Sequence, residues 1–390
     1  MAHPKLRTVT AVAVTLAVAV LAAGSVPAPA RLGPNGSTSV VAGPTRATGN
    51  APSAAVVAQA ADDYVSDLVR RHQFRGAVLV ARGDDVLFSK GYGVADESTG
   101  ALNTPHTRFR IGSVSKQFTA MAILKLQELG RLAVTDRVCR HVAPCPAAWE
   151  SITIEHLLTH TSGIRNYTSF GNFQGLKATS MSPEQLIGLF RGKTTVFAAG
   201  TRFDYSNSGY VLLGYIIERV TGGTYADFLR REILVPLGLS ETSYDVDRAS
   251  PRAHATGYWG WDDRTADHID MSVPYAAGAM YSSASDLYRW NRYLIARTLP
   301  IVSAGTLGQM LTGRVVMDPR HPLESGTYGY GLVFVPGPLE GWCNHNGGID
   351  GFVSFNGFNA DQQLSITVLS NMQITDVDTI AAKLIAVVAP

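Results

Sequence analysis

The chain has 390 residues with 33 basic and 31 acidic side chains, a formal net charge of +2, and 46% apolar against 16% charged residues. That length holds one or two domains with a sizeable core, so no structural metal or disulfide framework is required. The near balance of charge excludes the basic surface that nucleic acid or an anionic membrane demands, and the composition excludes a disordered chain.

Residues 1–30 read as an export signal. Lys5 and Arg7 supply the positive start, residues 9–23 are an unbroken run of Ala, Val, Leu and Thr, and Ala28-Pro29-Ala30 offers a small-residue cleavage site. The run is short for a membrane-spanning helix, an uncleaved anchor being the alternative. Ser25 stands where a lipid-anchored precursor would carry Cys. Cleavage removes two bases and no acid, which leaves the two signs equal. The expectation is a secreted or extracytoplasmic protein with no stable membrane insertion after cleavage. Residues 31–53, rich in Gly, Pro, Ser, Thr and Ala, read as a flexible linker, and 54–390 as the folded domain.

Within that domain, helical spacing of Val57, Ala61, Val65 and Val69 predicts a helix over 55–72. Strands are predicted at 76–81 and 86–89 around a Gly83-Asp84-Asp85 turn. A helix over 113–129 places Met121, Leu124 and Leu129 on its apolar side and ends at Gly130. Residues 131–275 are helical and loop-rich, with helices predicted at 211–220 and 225–235. Ser285 is the expected N-cap of the next helix. Strands return at 331–335, 352–356 and 364–369, and a last helix starts near Val377. Strands at both ends of a helical middle imply one α/β domain with a mainly helical insertion over about 118–275. Cys139 and Cys145 flank a short loop, a spacing that outside the cell permits a disulfide or two free thiols, with Cys343 left over.

Three stretches carry candidate chemistry. Ser113-Val114-Ser115-Lys116 sets a serine and a lysine one helical turn apart, on one face, so that nucleophile and candidate base need no long-range contact. Tyr205-Ser206-Asn207 lies on a polar turn before a helix. Its tyrosine can relay a proton, and its asparagine offers both donors and an acceptor to a substrate amide. His345-Asn346-Gly347-Gly348 precedes the strand near Phe352, where glycines permit close backbone approach and an N–H can serve an oxyanion hole.

These three motifs, in this order, resemble the serine β-lactamase and D-alanyl-D-alanine carboxypeptidase family, most closely its class C-like branch. Leu157-Leu158-Thr159-His160-Thr161-Ser162-Gly163 and Pro236-Leu237-Gly238-Leu239 fit as well, and the likeness covers about 60–372. It implies a β-lactamase/transpeptidase-like α/β fold, an antiparallel sheet flanked by helices, and cofactor-independent acyl transfer from a small-molecule or peptide substrate. Ser113 is then the nucleophile, and Lys116 its base or electrostatic activator. Tyr205 shuttles the proton to the leaving group. Asn207, His345, Asn346 and Gly347 bind substrate, and the N–H groups of Ser113 and Gly348 form the oxyanion hole. A lysine at its ordinary pKa of ~10.4 is neutral only about once in 2,500 molecules at pH 7. Burial and nearby positive charge, from His345 if protonated, are the expected means of lowering it. Whether Lys116 or ionised Tyr205 takes the serine proton stays open at this level. Asn346 departs from the Thr or Ser of many relatives, which shifts expectation from a penicillin or D-Ala carboxylate towards an ester or D-amino-acid peptide. Two other readings compete: a non-catalytic module that senses penicillin or peptidoglycan, and a zinc site on His156 and His160, which share a helix face without the His-Glu-x-x-His pattern.

Overall fold

A computed structural model describes residues 51–245, 254–297, 300–318 and 322–389. The expected export signal, and the expected linker up to residue 50, lie outside the described residues. Ser53 caps the first helix, α1 (Ala54–Arg70), by accepting the Val56 N–H. The other long helices are α2 (Ser115–Glu128), α3 (Asn207–Thr221), α4 (Ala284–Ala296) and α5 (Val377–Val388). The main sheet takes β1 (Gly76–Arg82) and β2 (Asp85–Tyr92) from one end of the chain. From the other it takes β3 (Val315–Val316), β4 (Thr327–Tyr328), β5 (Val333–Phe334), β6 (Trp342–Ile349), β7 (Phe352–Asn359) and β8 (Leu364–Ser370). Its spatial order is β2-β1-β8-β7-β6-β5-β4-β3, antiparallel throughout.

The central position of β1 explains its unbroken apolar run. Val78 and Val80 face α1 and α5 with Ile366, Val368 and Phe355, while Ala77, Leu79 and Ala81 face the opposite core with Phe118 and Trp290. A strand buried on both faces needs no polar alternation, and burying each such side chain contributes about 1.5–3 kcal/mol.

The helix that carries the Ser-x-x-Lys motif differs from its expected form. Every residue from Ser115 to Leu124 is fully buried, so α2 is a central strut and not a half-exposed amphipathic helix, and Leu129 lies exposed past its end. Its polar groups are paired inside. Thr119 Oγ1 donates to Ala276 O at 2.7 Å, Trp290 Nε1 donates to Gln117 Oε1 at 2.7 Å, and Ser115 Oγ accepts from Met280 N at 3.1 Å. These bonds and the surrounding packing hold the N-terminus of α2 in one place.

Three other expectations change. The cap of α4 is Ser283, which accepts from Asp286 N, and not Ser285. The segment 225–235 breaks into Tyr225–Leu229 and a wider turn over Arg230–Leu234. The stretch around His345, expected just ahead of a strand, is itself strand β6, paired residue for residue with β7 from Trp342 to Ile349. Cys139 and Cys145 are joined in a disulfide. Cys343 on β6 is a free thiol that burial pushes up to about 12, which leaves it unreactive.

Candidate active site

Ser113 lies in the single turn Gly112–Val114 that leads into α2. This turn is pressed against β6. Gly112 has φ +47°, and a Cβ there would stand 2.8 Å from Gly348 N; a Cβ on Gly347 would stand 2.1 Å from Ile111 O. Only glycines permit this approach of one backbone to another. Ser354 Oγ reinforces it by donating to Ile111 O at 2.9 Å. Two cavities of about 210 and 190 Å³ both have Ser113 and Gly348 in their walls. A larger groove of about 640 Å³, lined by Asp96, His106, Glu241 and His254, shares no residue with either.

Lys116 sits beneath Ser113, fully buried. Its Nζ lies 3.0 Å from Ser113 Oγ, 2.9 Å from Asn207 Oδ1 and 2.7 Å from Ala277 O. The Asn207 amide is oriented by its Nδ2, which donates to Thr168 Oγ1 at 3.1 Å. Two of the three partners of Lys116 are carbonyl oxygens that can only accept. A neutral amine donates its two N–H groups to them and points its lone pair at the Ser113 hydroxyl. Burial holds the lysine well below its ordinary range. The rings of Tyr205 and Tyr210, 4.8 and 5.3 Å away, favour the charged form instead. Such contacts contribute about 0.5–2 kcal/mol, less than the several pKa units that complete burial commands, so burial decides the direction.

Tyr205 O–H reaches Ser113 Oγ at 2.8 Å. The turn that carries it is held by His160, whose carbonyl accepts from Asp204 N at 2.9 Å and whose Nδ1 accepts from Ser206 N at 3.1 Å. His160 is buried, with its ring 4.2 Å from that of Tyr205 and 4.7 Å from that of Tyr328. His156 serves elsewhere, its Nδ1 accepting from Thr153 N in a helix cap. Each imidazole of the zinc reading is thus engaged in folding its own segment. His160→Ala should lower stability by about 2–4 kcal/mol through a cavity and a lost hydrogen bond, and should lower Ser113-dependent turnover further by freeing Tyr205. Thermal unfolding alongside kcat/KM checks both, and a stable variant with normal kcat/KM would contradict this role.

His345 is placed beside this group, its ring 6.4 Å from that of Tyr205, and the condition on which it would help, protonation, is not met at neutral pH. Its Nδ1 lies 2.6 Å from Asn346 O, an obligate acceptor, so Nδ1 carries the proton and Nε2 accepts from Tyr328 O–H at 3.0 Å. Burial, and then the Lys116 charge, hold it down to about 3. His345 is therefore neutral at pH 7 and contributes nothing to lowering the Lys116 pKa. Its linkage to stability has a definite sign. Between about pH 6.5, where the unfolded imidazole protonates, and about 3, where the folded one does, the unfolded state binds more protons. His345 therefore erodes stability as pH falls through that window. Replacing it with glutamine should flatten the fall in melting temperature between pH 6.5 and 4, and an unchanged slope would contradict the assignment.

The structure brings Ser113, Lys116, Tyr205 and Asn207 into one hydrogen-bonded group and sets Gly347 and Gly348 against the serine backbone. Asn346 is different. Its amide is turned onto Glu324 Oε1 and, at 3.1 Å, Asp378 Oδ2. The tether on His160, the Tyr328 partner of His345, and Thr168 escaped sequence reasoning, since no spacing links them to the motifs they serve.

The model of the beta-lactamase family matches residues 61–389. The chain belongs to the beta-lactamase family. This family and its fold are those of serine hydrolases, and the antiparallel sheet with helices on both faces is the β-lactamase/transpeptidase-like architecture. Penicillin-binding protein 4* of Bacillus subtilis strain 168 is similar to this β-lactamase-family chain, 31% identical over 323 residues, 78% of this chain and 70% of its own. The octameric penicillin-binding protein homologue from Pyrococcus abyssi superposes with a TM-score of 0.74 at 30% identity, over 84% of this chain and 75% of its own. A D-stereospecific amidohydrolase from Streptomyces sp. does so with a TM-score of 0.68 at 28% identity, over 85% and 98%. No helix among the described residues is long and apolar enough to cross a membrane.

Proposed function

We propose that the chain is an exported serine hydrolase that acts through an acyl-enzyme on Ser113, with a small amide, ester or D-amino-acid peptide as substrate. The observation that carries this reading is the environment of Lys116, a buried amine with two carbonyl acceptors and one serine hydroxyl as its partners. As Ser113 Oγ bonds to the substrate carbonyl carbon, its proton passes to the Lys116 lone pair. Charge gathers on the carbonyl oxygen, where the N–H groups of Ser113 and Gly348 receive it. The bond to the leaving atom then breaks. Tyr205 gives that atom its phenol proton and recovers one from the Lys116 ammonium, so the proton balance closes. Water repeats the sequence in reverse on the acyl-enzyme and returns the serine.

This assigns the two cavities. The one lined by Asn207, with Tyr167, Phe173, Ile269 and Ile349 as apolar walls, takes the acyl part. The one lined by Tyr205 takes the leaving group. The test is turnover of a D-amino-acid amide, a D-alanyl-D-alanine peptide, nitrocefin and a p-nitrophenyl ester by wild type and Ser113→Ala. Turnover of at least one by wild type and none by the variant is expected. Equal turnover by both would overturn the reading, and an adduct that forms and never hydrolyses would assign the chain to sensing instead.

A further inference from the structure

The cavity on the Tyr205 side of Ser113 has a carboxylate in its wall. Glu324 stands there beside Met317, Tyr328, Asn344, His345 and Asn346. Among the described residues that line it there is no Lys or Arg; residues 319–321, which include Arg320, lie outside the described residues. The donors that an anionic group would need are committed. Asn346 gives its two amide N–H groups to Glu324 and Asp378. His345 gives its Nδ1–H to Asn346 O, and Asn344 Nδ2 donates to Leu323 O at 3.1 Å. Lys116 lies behind the serine on its own three partners. Among the described residues, a carboxylate entering this space meets like charge and a wall whose amide and imidazole donors are engaged elsewhere, whereas an ammonium meets Glu324.

We propose that Glu324 makes the leaving-group pocket a cation site, so that the preferred substrate carries an amine or quaternary ammonium on its leaving group and one with a leaving-group carboxylate is rejected. The inference rests on the acyl-enzyme reading and narrows it. Among amides, esters and peptides, those that release an amine-bearing fragment are favoured over peptides that end in a free carboxylate.

The test uses three thioesters with one acyl group, 3-phenylpropanoyl, chosen for the aromatic walls of the acyl cavity, and with thiocholine, ethanethiol or mercaptoacetate as leaving thiol. All three pass through one acyl-enzyme, so differences in kcat/KM report acylation alone. Wild type should favour the thiocholine ester over the mercaptoacetate ester by about tenfold or more, and the ratio should shrink as salt is added. Glu324→Gln should bring the ratio to within about threefold, and Glu324→Lys should invert it. A wild-type ratio near one, a preference for mercaptoacetate, or a ratio that both variants leave unchanged would overturn the proposal. Release of ethanethiol that depends on Ser113 but is blind to charge overturns this inference alone. Absence of Ser113-dependent release from all three overturns the acyl-enzyme reading and this inference with it.

Discussion

Lys116→Met should lower the rate of Ser113 acylation by roughly 100- to 10,000-fold, the range a positioned proton acceptor supplies, while the protein still folds. Methionine keeps the length of the buried side chain and removes the amine whose lone pair faces the serine hydroxyl. The pH dependence of wild type follows from the same geometry. The amine accepts a proton only when neutral, so acylation falls as pH drops through the Lys116 pKa, which burial sets well below the ordinary lysine range. His345 is neutral above about 3 and adds no ionisation between pH 5 and 8. Pre-steady-state acylation by a chromogenic ester, followed across pH, measures both. A Lys116→Met enzyme that retains the acid limb at the same pH would assign that limb to another group.

The loss in Tyr205→Phe should depend on the leaving group. The phenol is 2.8 Å from Ser113 Oγ and faces the leaving-group cavity. An amide must have its nitrogen protonated as it departs, whereas p-nitrophenolate leaves unaided. Amide turnover should fall by about 100- to 1,000-fold and ester turnover by less than about tenfold. Equal losses on both substrates would make Tyr205 the acceptor of the serine proton, with Lys116 as its electrostatic support.

The parts of this site that act over short sequence distances were legible in the chain. Ser113 and Lys116 share a helix face by spacing alone, and the Tyr205-Ser206-Asn207 turn announces itself by its polar run before an apolar helix. Strands at both ends of the chain around a helical middle implied one α/β domain, and β1 and β8 do meet in one sheet. Burial was harder to read. The α2 sequence looks half-polar, yet Gln117 and Thr119 are buried because Trp290 and Ala276 supply partners from more than 150 residues away. His160 was legible as a structural residue at a helix end or, against that, as a metal ligand, but no spacing pointed to its bond to Ser206. The same blindness hid the Tyr328 partner of His345, which comes from a strand of two residues that carries no periodic signal. Glu324 carries no motif at all. Its meaning comes from the cavity that it lines.

The proposed chemistry requires one covalent bond, from Ser113 Oγ to the acyl carbon of the substrate. Wild type and Ser113→Ala should be exposed separately to a fluorescent penicillin and to an activated ester, weighed intact, and digested to locate the label. The prediction is one acyl group per wild-type chain from at least one of the two reagents, on the peptide containing Ser113, and none on the variant. A label on another residue, or the same mass gain in Ser113→Ala, would contradict it.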